Sequence, residues 1–275
     1  MFYLPQIKRA WDEANRVGEI LWRADTLMTK AVAHRGLQME VVYNSVRDSY
    51  DKSVKAIDRP SAPDDPFAHN PLLAESEVFR LYGNPYSCMR YQFILVPKLT
   101  RTSLSVEFIS ELVAMARVMP SLRVLYNGRG AGKTIPQEFG LVSLHDYPGL
   151  SVPPGRTLAC RPSVSIVTAA GVYRLVFPLD HELLWAMCRI GHPFDFILHD
   201  GRATFIPRKP IESPVDPSHR FGGLEMIGTF IVKSREQFHS ADVGALWEGV
   251  VSISLDDLER QSLELRLAQI AGGES

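Results

Sequence analysis

Hydrophobic and polar positions along this chain repeat with two different periods. From Ile7 to Val32, apolar residues recur every three or four positions, a spacing that places them on one face of a helix. They are Ile7, Trp11, Ala14, Val17, Leu21, Ala24 and Met28. A second stripe of this kind begins at Val106 and ends before Pro120. The pattern therefore predicts one long amphipathic helix over residues 7–32 and another ahead of Pro120.

Short runs of apolar and β-branched residues predict strands. They are Leu37 to Tyr43, Phe93 to Val96, Leu122 to Tyr126, Phe139 to Leu144, Val164 to Thr168, Val172 to Phe177, Phe194 to Leu198 and Arg202 to Ile206. Asp200-Gly201 separates the last two, and this dipeptide favours a two-residue hairpin turn because it tolerates positive φ. Further helices are predicted from Asp180 to Ile190, after Ser234 with its capping-box spacing to Gln237, and from Ser254 to Ala271.

Many antiparallel strands with helices at both ends indicate an α+β fold built on an antiparallel sheet. The 275 residues fit a single domain, with an N-terminal helix and strand over 1–50 and C-terminal helices over 239–275. The stretch from Lys52 to Asn70 contains three prolines and few large apolar groups. That composition predicts a mobile surface loop or lid over 52–70.

Composition excludes several classes of protein. Lys+Arg 30 against Asp+Glu 31 leaves a net charge of −1, so the general basic field used in non-specific nucleic-acid binding is absent. No apolar run reaches the roughly 18 residues of a transmembrane helix, and the charged N-terminus does not fit a signal peptide. Cys88, Cys160 and Cys188 are odd in number and widely spaced, which suits buried thiols in a reducing compartment. The sequence predicts a cytoplasmic protein that binds neither nucleic acid nor membrane.

The most glycine-dense segment is Asn127-Gly-Arg-Gly-Ala-Gly-Lys-Thr134, directly after a predicted strand. Its last three residues supply the backbone donors, the ammonium and the hydroxyl with which a P-loop binds phosphate. The P-loop pattern, however, requires a glycine five residues before Gly132, where this chain has Asn127. Two other interpretations are a glycine-rich turn without a ligand and a phosphate site of a different kind.

This segment belongs to an ordered set of short motifs along the chain. They are Asn84-Pro-Tyr86, Phe93-Ile-Leu-Val-Pro97, Tyr126-Asn-Gly128, Ala131-Gly-Lys-Thr-Ile-Pro136, Phe205-Ile-Pro-Arg208 and Gly223-Leu-Glu-Met-Ile-Gly228. In this order, they resemble the histidine-triad superfamily. They span a family-like core over 84–238 and are most similar to the branch containing galactose-1-phosphate uridylyltransferase, diadenosine tetraphosphate phosphorylase and GDP-L-galactose phosphorylase. The resemblance implies a histidine-triad-like antiparallel sheet with flanking helices, and a nucleotide or sugar nucleotide as the small-molecule ligand.

The resemblance also implies which residues contact that ligand. The loop residues that would hold its phosphates or sugar are Asn127, Gly128, Gly132 and Thr134. Arg129 and Lys133 add positive charge, which binds phosphate and stabilises it during transfer; a solvated loop lysine is the alternative for Lys133. Arg208 matches the family's Pro-Arg and either reaches a phosphate or forms a surface salt bridge.

The catalytic His-x-His-x-Gln motif of the family is absent. It would follow the proline that corresponds to Pro136. One alignment puts Glu138, Gly140 and Val142 at its three positions, and the other puts Gln137, Phe139 and Leu141 there. Gln92 replaces a further histidine ahead of Pro97 and remains a candidate substrate contact. Because none of these side chains attacks phosphorus and leaves again as an imidazole does, the sequence predicts that the covalent nucleotidyl-histidine mechanism is lost.

Two residues remain as candidates for moving a proton. His145 shares a strand face with Phe139 and Leu141, and is either a relocated acid or base or a structural histidine. Glu138 is either a general base, a ligand for a metal such as magnesium, or a solvated carboxylate.

Two hypotheses of function follow. The first is an enzyme that acts on the phosphate group of a nucleotide or sugar nucleotide by direct transfer or elimination, with Lys133, Glu138 and His145 as catalytic residues. The second is a nucleotide-binding sensor or partner subunit without turnover. The base, the sugar, the acceptor and the oligomeric state, for which a homodimer is one option, stay open.

Overall fold

The strands of the chain are divided between two sheets in the computed structural model, which describes residues 3–45, 67–85, 87–98, 104–131, 138–151, 156–158, 163–209 and 221–272. The strands are β1 (Leu27–His34), β2 (Leu37–Asn44), β3 (Leu72–Glu75), β4 (Phe79–Gly83), β5 (Gln92–Pro97), β6 (Arg123–Asn127), β7 (Gly140–Ser143), β8 (Arg156–Leu158), β9 (Val164–Ala169), β10 (Val172–Pro178), β11 (Phe194–His199), β12 (Arg202–Pro207) and β13 (Thr229–Ile231). The helices are α1 (Leu4–Arg16), α2 (Val106–Val118), α3 (His181–Cys188), α4 (Gly223–Met226), α5 (Arg235–Ser240), α6 (Val243–Ser252) and α7 (Asp257–Gly272).

Among the described residues, the large sheet has ten strands in the order β3-β4-β5-β7-β6-β11-β12-β10-β9-β8, and every neighbouring pair is antiparallel. The small sheet has the order β1-β2-β13, in which β2 pairs with β13 in parallel. Helices flank this arrangement at both ends of the chain. The α+β fold built on an antiparallel sheet is therefore confirmed.

Each face of the large sheet carries its own hydrophobic core, because successive side chains of a strand point to opposite faces. Helices α1, α2, α3 and α7 pack on one face, called the helix face here, with buried residues such as Tyr126, Val142 and Phe196. The small sheet and α6 pack on the other face, called the small-sheet face, with buried residues such as Leu125 and Ile197. Two residues that are adjacent in a strand of the large sheet therefore belong to different environments.

The N-terminal helix is shorter than its periodicity predicts. Helix α1 ends at Arg16, and Gly18 follows at a φ of +85°, a conformation that glycine adopts without a Cβ penalty. The prediction is wrong for the second half of this helix, because Leu27–His34 forms a strand that pairs along its whole length with β2. The apolar spacing around Leu27 fits both structures, and the ladder with β2 decides between them.

Several local predictions are confirmed. The hairpin turn between β11 and β12 has Asp200 at a φ of 46° and Gly201 at 73°, and Ser234 caps α5 by accepting a hydrogen bond from the Gln237 amide at 3.1 Å. Residues 52–66 of the predicted loop lie outside the described part of the chain, while the ring of Phe67 beside them is only 6% exposed. Within the described ranges, no helix is long and apolar enough to cross a bilayer.

Candidate functional site

The glycine-rich segment begins as a tight turn at the end of β6. The Gly128 amide donates to the Phe194 carbonyl at 2.8 Å, and a Cβ on Gly128 would lie only 2.6 Å from that oxygen. The turn closes through the Ala131 amide, which donates to the Gly128 carbonyl at 3.1 Å, and the Arg129 side chain between them is exposed. Gly128 is therefore required by a close backbone approach. The predicted contacts Gly132, Lys133 and Thr134 lie outside the described residues.

A buried polar cluster adjoins this turn on the small-sheet face. The Asn127 side chain accepts a hydrogen bond from the Gly223 amide at 3.0 Å, at the start of α4. Asp195 lies opposite Asn127 in the β6–β11 register. Arg208 donates from Nη1 to Asp195 Oδ2 at 3.0 Å and to the Phe221 carbonyl at 2.8 Å. These bonds fasten the start of α4 to the large sheet.

The ion pair between Asp195 and Arg208 is completely enclosed, since both side chains are 0% exposed. Burial raises the pKa of Asp195 to about 6, although the charge and the hydrogen bond of Arg208 act in the opposite direction. Within the described residues, Asp195 Oδ1 and Arg208 Nε and Nη2 have no hydrogen-bond partner. Arg208 thus forms a buried ion pair with Asp195, not a surface salt bridge, and its side chain is not exposed to a ligand in this structure.

Glu138 lies on the helix face, away from Asn127. The Tyr126 hydroxyl donates to its carboxylate, and Glu138 is buried. Burial, the charge of Glu138 and this hydrogen bond all raise the pKa of Tyr126 above its usual range, and burial followed by the charge of Glu138 does the same for the thiol of Cys188. The expectation of a solvated carboxylate is wrong for Glu138, and the sheet separates it from the Asn127 cluster.

His145 lies beyond the opposite end of β7. Its Nε2 is 2.8 Å from Glu40 Oε1, and the Thr229 hydroxyl donates to the same carboxylate oxygen at 2.8 Å. Glu40 is buried, whereas the His145 side chain is 28% exposed and lines a cavity of about 240 Å³ together with Trp22 and Tyr91. The carboxylate therefore fixes the imidazole in a small aromatic cavity, at a distance from the loop that begins at Asn127.

Gln92 is a structural residue at the same end of the sheet as His145. It lies opposite Ser143 in the β5–β7 register and is buried. Its Oε1 accepts hydrogen bonds from Asn84 Nδ2 at 2.9 Å and from the Cys88 amide at 3.3 Å. This side chain holds the loop before β5, and its carbonyl oxygen is already used in doing so.

The strand register distinguishes the two alignments of the missing motif. Ile94 lies opposite Leu141, and Phe139 packs against the cluster that contains Ile94, so Phe139 and Leu141 share the small-sheet face with Gln92. Val142 instead belongs to the core on the helix face. The alignment through Phe139 and Leu141 therefore puts the motif positions on the face of Gln92, and the alignment through Gly140 and Val142 puts them on the helix face. The Phe139 ring lies 5.4 Å from the ring of Phe67, so an apolar contact occupies this position.

The predicted site residues therefore fall into three groups. Asn127, Gly128 and Arg129 lie together at the end of β6, with Arg208 buried nearby; Glu138 is on the other face; Gln92 and His145 are at the far end of β7. No group of three metal-ligating side chains occurs among the described residues. Sequence reasoning missed Glu40, Thr229 and Asp195. A carboxylate inside an apolar strand was the available signal for the two acidic residues, because such groups are rarely buried unless paired.

Crystal structures of yeast Ap4A phosphorylase Apa2 have a similar fold. The complex with Ap4A matches with a TM-score of 0.62 and 14% sequence identity, covering 91% of this chain and 96% of that chain. The complex with AMP matches with a TM-score of 0.60 and 15% identity, covering 91% and 96%. A third Apa2 structure gives 0.61 and 13%, covering 91% and 94%. No family model and no curated sequence matches the chain. The chain thus shares its fold with yeast Ap4A phosphorylase Apa2, in agreement with the histidine-triad-like antiparallel sheet with flanking helices that its sequence predicts.

Proposed function

We propose that this protein binds a nucleotide or sugar nucleotide through the loop over 127–134, without forming a covalent nucleotidyl-histidine. The observation that carries the proposal is the apolar pair Phe139 and Leu141, which one of the two alignments puts at the positions of the family's catalytic motif. The ring of Phe67 packs against Phe139, and Leu141 packs in the core of the small-sheet face. The solved neighbours were crystallised with Ap4A and with AMP, which supports a nucleotide as the ligand class on this fold.

Of the two hypotheses from the sequence, binding without turnover is the better supported. Direct transfer needs a proton donor or acceptor within hydrogen-bond reach of the reacting group. Glu138 lies across the sheet from Asn127, and His145 lies at the far end of β7. The Glu138 carboxylate already accepts the Tyr126 hydroxyl on the other face, and the His145 imidazole already contacts Glu40. The charges of Arg129 and Lys133 would therefore contribute affinity, and neither candidate is available as a proton donor or acceptor for a ligand beside Asn127.

Removing either loop cation should weaken nucleotide binding. We expect Arg129→Ala and Lys133→Ala each to cost about 1.5–3 kcal/mol of binding free energy, because each deletes a charge-assisted contact to phosphate. Isothermal titration calorimetry against a panel of nucleotides and sugar nucleotides, with and without magnesium, measures this. Lys30→Ala, on exposed strand β1, is the matched control. Unchanged affinity in both loop variants would exclude this loop as the binding site.

No nucleotidyl adduct should form on the protein during incubation with any ligand from that panel. A nucleotidyl-histidine needs an imidazole at the motif, and neither alignment of the motif puts a histidine there. Intact-mass measurement followed by peptide mapping checks this result, and product analysis of the same mixtures tests for turnover. An acid-labile adduct on His145 would contradict the proposal by showing that the nucleophile has moved. Products without an adduct would favour the direct-transfer enzyme.

A further inference from the structure

Arg174 is a buried cation without a carboxylate neighbour. It lies in the middle of β10 on the small-sheet face and is 0% exposed. Its Nη1 donates to the Gly149 carbonyl at 2.6 Å and its Nη2 to the Met226 carbonyl at 3.1 Å, while Nε has no partner within the described residues. Burial alone lowers the pKa of this guanidinium to about 10. Two carbonyl dipoles offset part of the charge, and no described carboxylate neutralises it.

A cavity of about 460 Å³ adjoins Arg174 on the outer strands β9, β10, β11 and β12. This volume is within the range of small-molecule sites, roughly 300–1,000 Å³. Its wall combines apolar side chains with several polar ones, and the cross-strand register brings the polar ones together. Thr204 and Ser165 both lie opposite Val176, and His199 lies opposite Arg202 at the hairpin end. Hydroxyl, imidazole and guanidinium groups from the four neighbouring strands β9, β10, β12 and β11 thus line one cavity.

The charges that line this cavity are predominantly positive. Arg202 is exposed and forms no ion pair with any described residue. Asp200 is the one carboxylate among the lining residues that the structure describes, and it is paired with Arg123 at 3.2 Å and lies 3.4 Å from His199 Nδ1. Burial lowers the pKa of His199; Asp200 opposes that shift, and the charges of Arg123 and Arg202 add to it. An anion in the cavity would therefore be attracted by two positive charges, those of the buried Arg174 and the exposed Arg202. No described carboxylate pairs with either of them.

We infer that this cavity binds the phosphate group of a small organic phosphate. Arg202 would donate charge-assisted hydrogen bonds to the phosphate, and the hydroxyls of Ser165 and Thr204 would add neutral ones. Arg174 acts behind them as a fixed positive charge in the wall, where the low local dielectric strengthens its field. The site is separate from the loop at Asn127. That loop adjoins the first residues of β11, whereas His199 is the last residue of the same strand.

Titration with inorganic phosphate and with ribose 5-phosphate, at constant ionic strength maintained with chloride, tests this inference. The readout is the ¹⁵N imidazole signal of His199, whose Nε2 lies 2.9 Å from Thr204 Oγ1, assigned with a His199→Gln variant. We expect saturable shifts with both compounds and none with chloride alone. The sugar phosphate should bind more tightly, because the cavity is larger than the anion. A His199 signal unchanged by both compounds would overturn the inference. Weaker binding of ribose 5-phosphate than of inorganic phosphate would refute the claim that the ligand is an organic phosphate.

Two variants locate the binding. Arg202→Ala changes an exposed side chain and should raise the dissociation constant for phosphate roughly tenfold or more, as expected for loss of a charged hydrogen bond. Thr204→Val keeps the shape of the side chain and should weaken binding less. Arg9→Ala, on exposed positions of α1, is the control and should leave binding unchanged. Equal affinity in Arg202→Ala and Arg9→Ala would place the phosphate elsewhere and refute the site. Arg129→Ala should not alter the His199 titration, so the two proposals fail independently.

Discussion

Asp195→Ala should destabilise the protein by about 3–5 kcal/mol, because it leaves the guanidinium of Arg208 buried without its counter-charge. Both partners are 0% exposed in the wild-type chain, so water cannot replace the lost carboxylate without rearrangement. Urea unfolding monitored by circular dichroism measures the change as a lower midpoint. The exposed ion pair of Asp257 with Arg260 provides the control, since Asp257 is 91% exposed and its removal should cost under about 1 kcal/mol.

The double variant Asp195→Leu with Arg208→Met should recover much of that loss, because a buried ion pair and an apolar pair of similar volume differ little in stability.

The titration of Asp195 supplies a second readout of its burial. Its pKa is about 6 in the folded protein and 3.8 for the free group. The folded state therefore binds more protons between these values, and this carboxyl contributes stability that is lost as the pH rises through about 6. Asp195→Asn should abolish that contribution; an unchanged pH profile would contradict the assigned burial.

Trp247→Ala should cost about 3–5 kcal/mol of unfolding free energy, because it empties the volume of a fully buried indole. Trp247 lies on α6 in the core of the small-sheet face, with its ring 6.4 Å from that of Phe230. Its indole N–H donates to the Ala170 carbonyl at 2.7 Å. Thermal and urea unfolding would report the loss.

A graded series separates the two contributions of Trp247. Trp247→Phe keeps an aromatic ring and loses the hydrogen bond, so its effect should be smaller than that of Trp247→Ala. Leu258→Ala is the surface control, since Leu258 is 78% exposed and its truncation should lie within about 0.5 kcal/mol of wild type. Equal stabilities of Trp247→Ala and Leu258→Ala would show that α6 does not pack as described.

Local chemistry in the sequence predicts much of this fold. The turn at Asp200-Gly201 and the cap at Ser234 are each specified by residues within four positions of one another, so a single segment contains the whole signal. The strand that begins at Leu27 is different, because its local spacing is helical and the ladder with β2 determines its structure. The sequence pattern predicts no boundaries for helix α6, because its position depends on packing against β10 and the small sheet.

The candidate site is harder to predict from sequence, because it depends on which face of the sheet each side chain occupies. Glu138 and Asn127 are close in sequence, yet the pleat puts them on opposite faces. His145 follows the motif strand by a few residues, but its partner Glu40 comes from a distant strand. Single-sequence reasoning identifies the residue types for phosphate chemistry; the register between strands determines which of them meet.

The pairing of β2 with β13 also limits when the small sheet can be completed. Glu40 and Thr229 meet although 189 residues separate them along the chain. Closing so long a segment costs conformational entropy, and contacts of this separation form slowly. During synthesis, β1 and β2 can form their hairpin as soon as they leave the ribosome, while the outer edge of β2 waits for residues 229–231. Until then that edge offers unpaired amides and carbonyls to other chains, as exposed edge strands do in aggregation.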